Sequence, residues 1–176
     1  MLETLISSKT RVKLLLKFFL NSSTTDYLRN LEAEFGESTN AIRLELNRLE
    51  EAGMLSSFLD GNKKKFQANK NHPLFKDIHN IIKKYVGLDQ IIENVIERLG
   101  EVEEVFLTGG FAKGLDSNVI DLIFVGNIDR VYLNELVGKV ENLICRKVRF
   151  VIFSESEFQE NYKEKEKNSF LLLWSK

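Results

Sequence analysis

The sequence contains a single cysteine, Cys145, so no internal disulfide can form and a secreted disulfide framework is excluded. Cys145 lies in an apolar helical stretch, residues 141–145, and reads as a buried structural thiol. Long apolar runs are also missing. Leu14-Leu15-Leu16 is broken by Lys17 before Phe18-Phe19-Leu20, and no stretch approaches the ~20 apolar residues needed to cross a bilayer. The start, Met1-Leu2-Glu3-Thr4, lacks the positive charge and cleavage site of a signal peptide, so a cytoplasmic protein without membrane association is expected. Repeats and low-complexity linkers are absent.

What is present suits a globular chain of 176 residues with 43% apolar and 29% charged content. The net charge of −1 is unevenly spread. Residues 1–86 carry 14 Lys+Arg against 10 Asp+Glu, and residues 87–176 carry 11 against 16. A positive excess in one half suits a phosphate backbone.

Apolar spacing predicts a helix over residues 9–20, capped by Ser8, with Val12, Leu15, Leu16 and Phe19 on one face. Asp26 is expected to cap a second helix, 27–35, stopped by Gly36. Ser38 caps a third, reaching about Ala52, with Ile42, Leu46 and Leu49 on its core face. Two strand-like pieces follow, 54–59 and 65–68, around the turn signal Asp60-Gly61-Asn62, whose last two residues both tolerate positive φ. The only proline, Pro73, fits the first turn of a helix over 74–86 that serves as linker. Three helices and a hairpin form the winged helix-turn-helix order.

Beyond Gly87 the pattern alternates. A helix is predicted over 89–99 and strands over 102–108, 119–125 and 147–153. Asp129 caps a helix over 130–145. Ser154, with Glu157 three residues on, caps another reaching about residue 167, where Glu164-Lys165-Glu166-Lys167 reads as a solvated face. Phe170 to Trp174 either covers a sheet edge or forms a subunit contact.

In a helix-turn-helix the second helix of the pair meets base edges in the major groove. Here that helix starts at Ser38. Opposite its core face lie Asn40, Leu44, Asn47 and Glu51, flanked by Arg43 and Arg48. Asn and Arg pair bidentately with adenine and guanine edges, and Leu44 can touch a thymine methyl. The amides at Ser38 and Thr39 open the helix where a phosphate is attracted. Lys63, Lys64 and Lys65 on the hairpin reach phosphate or the minor groove.

The stretch from Ser8 to Phe75 resembles winged-helix transcription regulators of the ArsR-like group. The resemblance rests on Ser8 to Leu15, Tyr27-Leu28-Arg29, the run Arg48-Leu49-Glu50-Glu51-Ala52-Gly53-Met54-Leu55, and the basic hairpin Gly61 to Asn69. It implies binding of double-stranded DNA and a homodimer, since one helix-turn-helix reads only a half-site. Metal-sensing members use cysteine or histidine clusters. This chain offers His72 and His79, which do not sit on adjacent turns of one helix, so no metal sensing is expected.

The segment Phe106-Leu107-Thr108-Gly109-Gly110-Phe111-Ala112-Lys113-Gly114, followed by Val119-Ile120-Asp121-Leu122-Ile123-Phe124-Val125, resembles the core of minimal nucleotidyltransferases. That family joins a strand to a short helix through a Gly-Ser turn and carries Asp-x-Asp on the next strand. Its turn amides and serine hold a triphosphate, and its carboxylates bind two divalent metals. Gly109 matches the glycine and Asp121 the second aspartate. Gly110 stands at the serine, Val119 at the first aspartate, and the third carboxylate falls near Arg149.

These readings set the expectations. The fold class is α/β in two domains: a winged helix-turn-helix over residues 1–86 and a nucleotidyltransferase-like domain with a small mixed sheet over 87–176. The function is a DNA-binding transcription regulator whose second domain serves dimerisation or ligand sensing. No catalytic residue, metal or cofactor is expected, and so no enzyme. A nucleotide or other anion is the candidate ligand of Gly109, Gly110 and Asp121. The alternatives are an active nucleotidyltransferase targeting a protein or RNA, and a protein-interaction adaptor.

Overall fold

The computed structural model describes residues 2–162 and 170–176; the solvated helix face expected at 164–167 lies outside them. The fold is mixed α/β with two small sheets and divides into two compact units, Met1–Tyr85 with Gly114–Asp116, and Val86–Lys113 with Ser117–Lys176.

The first unit opens with α1 (Leu2–Leu5) and α2 (Lys9–Leu15). The Ser8 hydroxyl caps α2 by accepting from the Arg11 amide, as expected. The helix does not run on unchanged to residue 20: it widens into a π-type turn over Leu16–Leu20, all five residues of which are buried. Next come β1 (Thr25–Tyr27), α3 (Leu28–Phe35), α4 (Thr39–Glu51), β2 (Leu55–Asp60), β3 (Lys63–Ala68) and α5 (Phe75–Val86). Ile42, Leu46 and Leu49 of α4 pack inward with Val12, Leu16 and Phe19.

β1 was not foreseen, and Asp26 is not a helix cap. It is a buried strand residue whose carboxylate faces the Lys17 ammonium at 3.1 Å and accepts from the Asn30 amide. Burying a carboxylate demands such partners, and they turn the side chain away from the helix start. β1, β3 and β2 form an antiparallel sheet in that order. The β2–β3 turn places Gly61 at φ +59°, and Asn62 takes no positive φ. One left-handed residue is enough to reverse this two-residue loop.

Glu45 on α4 is buried beside Arg11, whose Nε donates to it at 2.8 Å, and Arg48 at 3.3 Å. Burial pushes its carboxyl upward. The Arg11 hydrogen bond and charge, with Ser8 and Arg48, outweigh that and hold it below the ordinary value of 4.5. A carboxyl lowered in the folded state adds stability above its unfolded pKa and loses it as pH falls through the folded pKa. Denaturation of wild type against Glu45→Gln should therefore converge as pH drops from about 5 through the acid range. A difference in stability independent of pH would contradict this.

In the second unit α6 (Leu88–Ile91) passes through a π-type turn, Ile92–Ile96, into α7 (Glu97–Leu99). Then follow β4 (Val102–Thr108), α8 (Gly109–Ala112), β5 (Val119–Gly126), α9 (Arg130–Ile144), β6 (Lys147–Phe153), α10 (Glu155–Asn161) and β7 (Leu171–Ser175). The sheet order is β6-β5-β4-β7. β5 and β6 are parallel, and the other pairs antiparallel. Asp129 caps α9, and the Ser154–Glu157 capping box forms on α10. β7 covers the β4 edge, which settles one of the two readings of residues 170–174.

Cys145 departs from its expectation. It is exposed, and it ends α9 in the left-handed conformation at φ +55°. The apolar pattern runs to Ile144, and the chain turns there to enter β6.

Candidate functional site

Each unit presents one candidate. In the first, α4 turns Asn40, Arg43, Leu44, Asn47, Arg48 and Glu51 to solvent. Leu44 is 50% exposed, with no apolar neighbour needed to explain its placement on the core side. The Ser38 hydroxyl caps α4 by accepting from the Ala41 amide at 3.2 Å, and half-buried Thr39 begins the helix.

Beside α4 lies a cleft of about 450 Å³, lined by Tyr27, Arg29, Arg43, Asn47, Asn62 and Lys63 among others. β1 places Tyr27 opposite Lys65 of the hairpin, and this pairing brings the start of α3 to the same opening. No carboxylate lines the cleft among the described residues. Its cations are not equivalent. Lys64 pairs with Glu50 at 2.7 Å, and Lys65, nearby on β3, with Asp60 at 2.6 Å. The Asp60 contact holds the Lys65 ammonium above its ordinary pKa. Lys63 lies 4.4 Å from the Tyr27 ring centre. Among the described residues Arg29, Arg43 and Lys63 have no ion-pair partner.

Sequence spacing brought Arg43, Asn47 and Lys63 to this face. It missed Tyr27, Arg29 and Asn62, because β1 was not recognised. The signal was Thr24-Thr25-Asp26-Tyr27, in which threonine and tyrosine favour strand.

In the second unit, Gly109 turns the chain from β4 into α8 at φ +67°. A Cβ there would lie 2.3 Å from the Asp121 Oδ2 atom. Asp121 stands opposite Arg149 in the β5–β6 register, and Arg149 Nε and Nη2 both lie 2.7 Å from its Oδ1. The Asp121 hydrogen bond raises the Arg149 pKa further. Thr108 donates its hydroxyl to the Asp121 carbonyl at 3.3 Å. A hollow of about 520 Å³ adjoins the pair, lined by Thr108, Ile123, Phe150, Tyr162 and Phe170. The structure thus brings Gly109 and Asp121 together, next to Gly110 in α8.

The two divalent metals implied by the nucleotidyltransferase resemblance do not fit these residues. Val119 supplies no oxygen, and Arg149 occupies the Asp121 carboxylate with a cation. Among the described residues no group of three His, Cys, Asp or Glu could hold an ion. Gly109→Ala is expected to destabilise the second unit by about 1–3 kcal/mol through positive φ, and more if Asp121 is driven off Arg149. Chemical denaturation measures this; an unchanged midpoint would show that the turn relaxes freely.

No family model and no curated protein matches the chain. Several solved structures resemble about half of it. A protein from Archaeoglobus fulgidus is 17% identical over 53% of this chain and 99% of its own, with a TM-score of 0.39. A tri-AMPylated Shewanella oneidensis HEPN toxin in complex with MNT antitoxin gives 14%, 51%, 71% and 0.37 in the same order. A Sulfolobus solfataricus protein described as an inferred nucleotidyltransferase gives 23%, 56%, 86% and 0.38. Likenesses this partial fix neither substrate nor partner. They do correct one expectation: with proteins of nucleotidyltransferase name among the similar structures, the reading of the chain as no enzyme does not stand.

Proposed function

We propose that the first unit is a winged helix that binds double-stranded DNA, and that the chain acts as a dimeric transcription regulator. The observation that carries this reading is the arrangement of α4 beside the carboxylate-free cleft, where Arg29, Arg43 and Lys63 stand without ion-pair partners. Asn47 and Arg43 supply bidentate base-edge chemistry, and the lysine meets phosphate. The second unit provides the dimer contact or responds to a ligand held at Gly109, Gly110 and Asp121.

The test is selection from a random duplex pool with the full chain. A recurrent motif is expected, and Arg43→Ala should weaken binding to it by about 1–3 kcal/mol while relaxing its sequence preference. A pool that stays random would count against sequence reading.

A second reading is supported by the strand–Gly109–helix turn packed against Asp121: nucleotidyl transfer to a protein or RNA partner. Incubation with labelled ATP and Mg²⁺ distinguishes it. Label covalently attached to a partner, and lost in Asp121→Asn, favours transfer.

A further inference from the structure

The cleft beside α4 is built differently from a surface that meets duplex DNA alone. Its floor is apolar: Phe66 and Leu46 are buried beneath it and Leu28 is half-buried at its side. The half-buried Tyr27 ring forms one wall. Around this floor stand Arg29, Arg43, Lys63 and Lys64, with the amides of Asn47 and Asn62. A paired duplex presents phosphates and base edges, and neither fills an apolar hollow. An unpaired nucleotide does: its base is flat and apolar on both faces, its edge takes amide hydrogen bonds, and its phosphates need cations. The volume of about 450 Å³ falls in the range of small-ligand sites. Three cations without ion-pair partners, and no carboxylate among the described lining residues, fix the sign of the occupant's charge as negative.

From this we infer that the cleft receives a single unpaired base of a DNA strand, stacked beside Tyr27 over Phe66, with the flanking phosphates held by Arg29, Arg43 and Lys63. The inference rests on the DNA-binding reading of the same face and adds the kind of DNA it prefers: duplex with an unpaired or extruded nucleotide. Lys63 and Lys64 now cover the two rings, at 4.4 and 5.0 Å from the Tyr27 and Phe66 centres. Both are long flexible side chains, and swinging outward would bring their ammonium groups to the phosphates.

The experiment is fluorescence anisotropy with the full chain at low and moderate salt. Four probes are used: a blunt duplex, the same duplex with one unpaired thymidine, the same with an abasic site at that position, and free thymidine monophosphate as competitor. The expected result is binding to the unpaired-base duplex at least about tenfold tighter than to the blunt one, with the gain lost at the abasic site. Tyr27→Leu should bring the ratio of the two affinities near one. Because Tyr27 also pairs in β1, the exposed Arg29→Gln is measured beside it and should reduce the same ratio. Equal affinity for blunt and unpaired duplexes would overturn the inference and leave the DNA reading standing. Binding to neither at low salt would overturn both. Displacement by the free nucleotide at concentrations comparable to the DNA affinity would overturn it in favour of a mononucleotide site.

Discussion

Lys17→Ala is expected to destabilise the first unit by about 3–5 kcal/mol. The Lys17 ammonium lies 3.1 Å from Asp26 and 2.5 Å from Glu34, and the Lys17 and Asp26 side chains are each 5% exposed. Removing the lysine leaves the Asp26 carboxylate buried without a cation. Its remaining partners, the Tyr27 amide and Asn30, supply hydrogen bonds but no compensating charge. Glu34 is less enclosed and can turn to water. The loss therefore concentrates on one buried anion. Replacing both partners, as Lys17→Met with Asp26→Leu, should recover much of the stability, since apolar groups of similar volume carry no desolvation cost. Urea denaturation of the three proteins checks this. A loss under about 1 kcal/mol for the single variant would mean that the pair behaves as a surface ion pair. The functional consequence is local: Asp26 anchors β1, and β1 sets Tyr27 at the cleft.

The second large effect concerns DNA. Converting Arg29, Arg43 and Lys63 together to glutamine should flatten the dependence of log affinity on log salt by about 3, near one unit per lost phosphate contact. At low salt the affinity should fall on the order of a hundredfold or more. These three cations are singled out because they have no ion-pair partner among the described residues. Lys64 and Lys65 are engaged with Glu50 and Asp60, so replacing those two alone should have the smaller effect. The ordering is measurable by salt titration of both variants. An equal or greater loss from Lys64 and Lys65 would reverse this assignment of roles.

Much of the architecture was legible because its signals are local. Ser8, Ser38, Asp129 and Ser154 cap their helices through side-chain hydrogen bonds to nearby amides. Two strands, Val102–Thr108 and Lys147–Phe153, begin and end where β-favouring apolar residues do. What escaped depends on distant contacts. Asp26 looks like a cap in sequence, and only the position of Lys17, on the preceding helix, makes it a buried strand residue. Cys145 continues an apolar pattern, yet the reversal into β6 puts it outside. The cleft needed Tyr27 and Arg29 from one segment and Asn62 and Lys63 from another, and strand pairing supplies that meeting. At the second site the Asp121–Arg149 pairing was visible once two parallel strands were aligned, whereas the contact of Asp121 against the Gly109 backbone was not.

The most direct test of the central claim is amide chemical-shift mapping of the full chain titrated with its selected duplex at low salt. Binding through the α4 face should move Asn40, Arg43, Asn47 and Lys63, with residues around Asp121 unmoved. Shifts confined to the second unit, or none at saturating DNA, would contradict the assignment of the first unit as a DNA-binding winged helix.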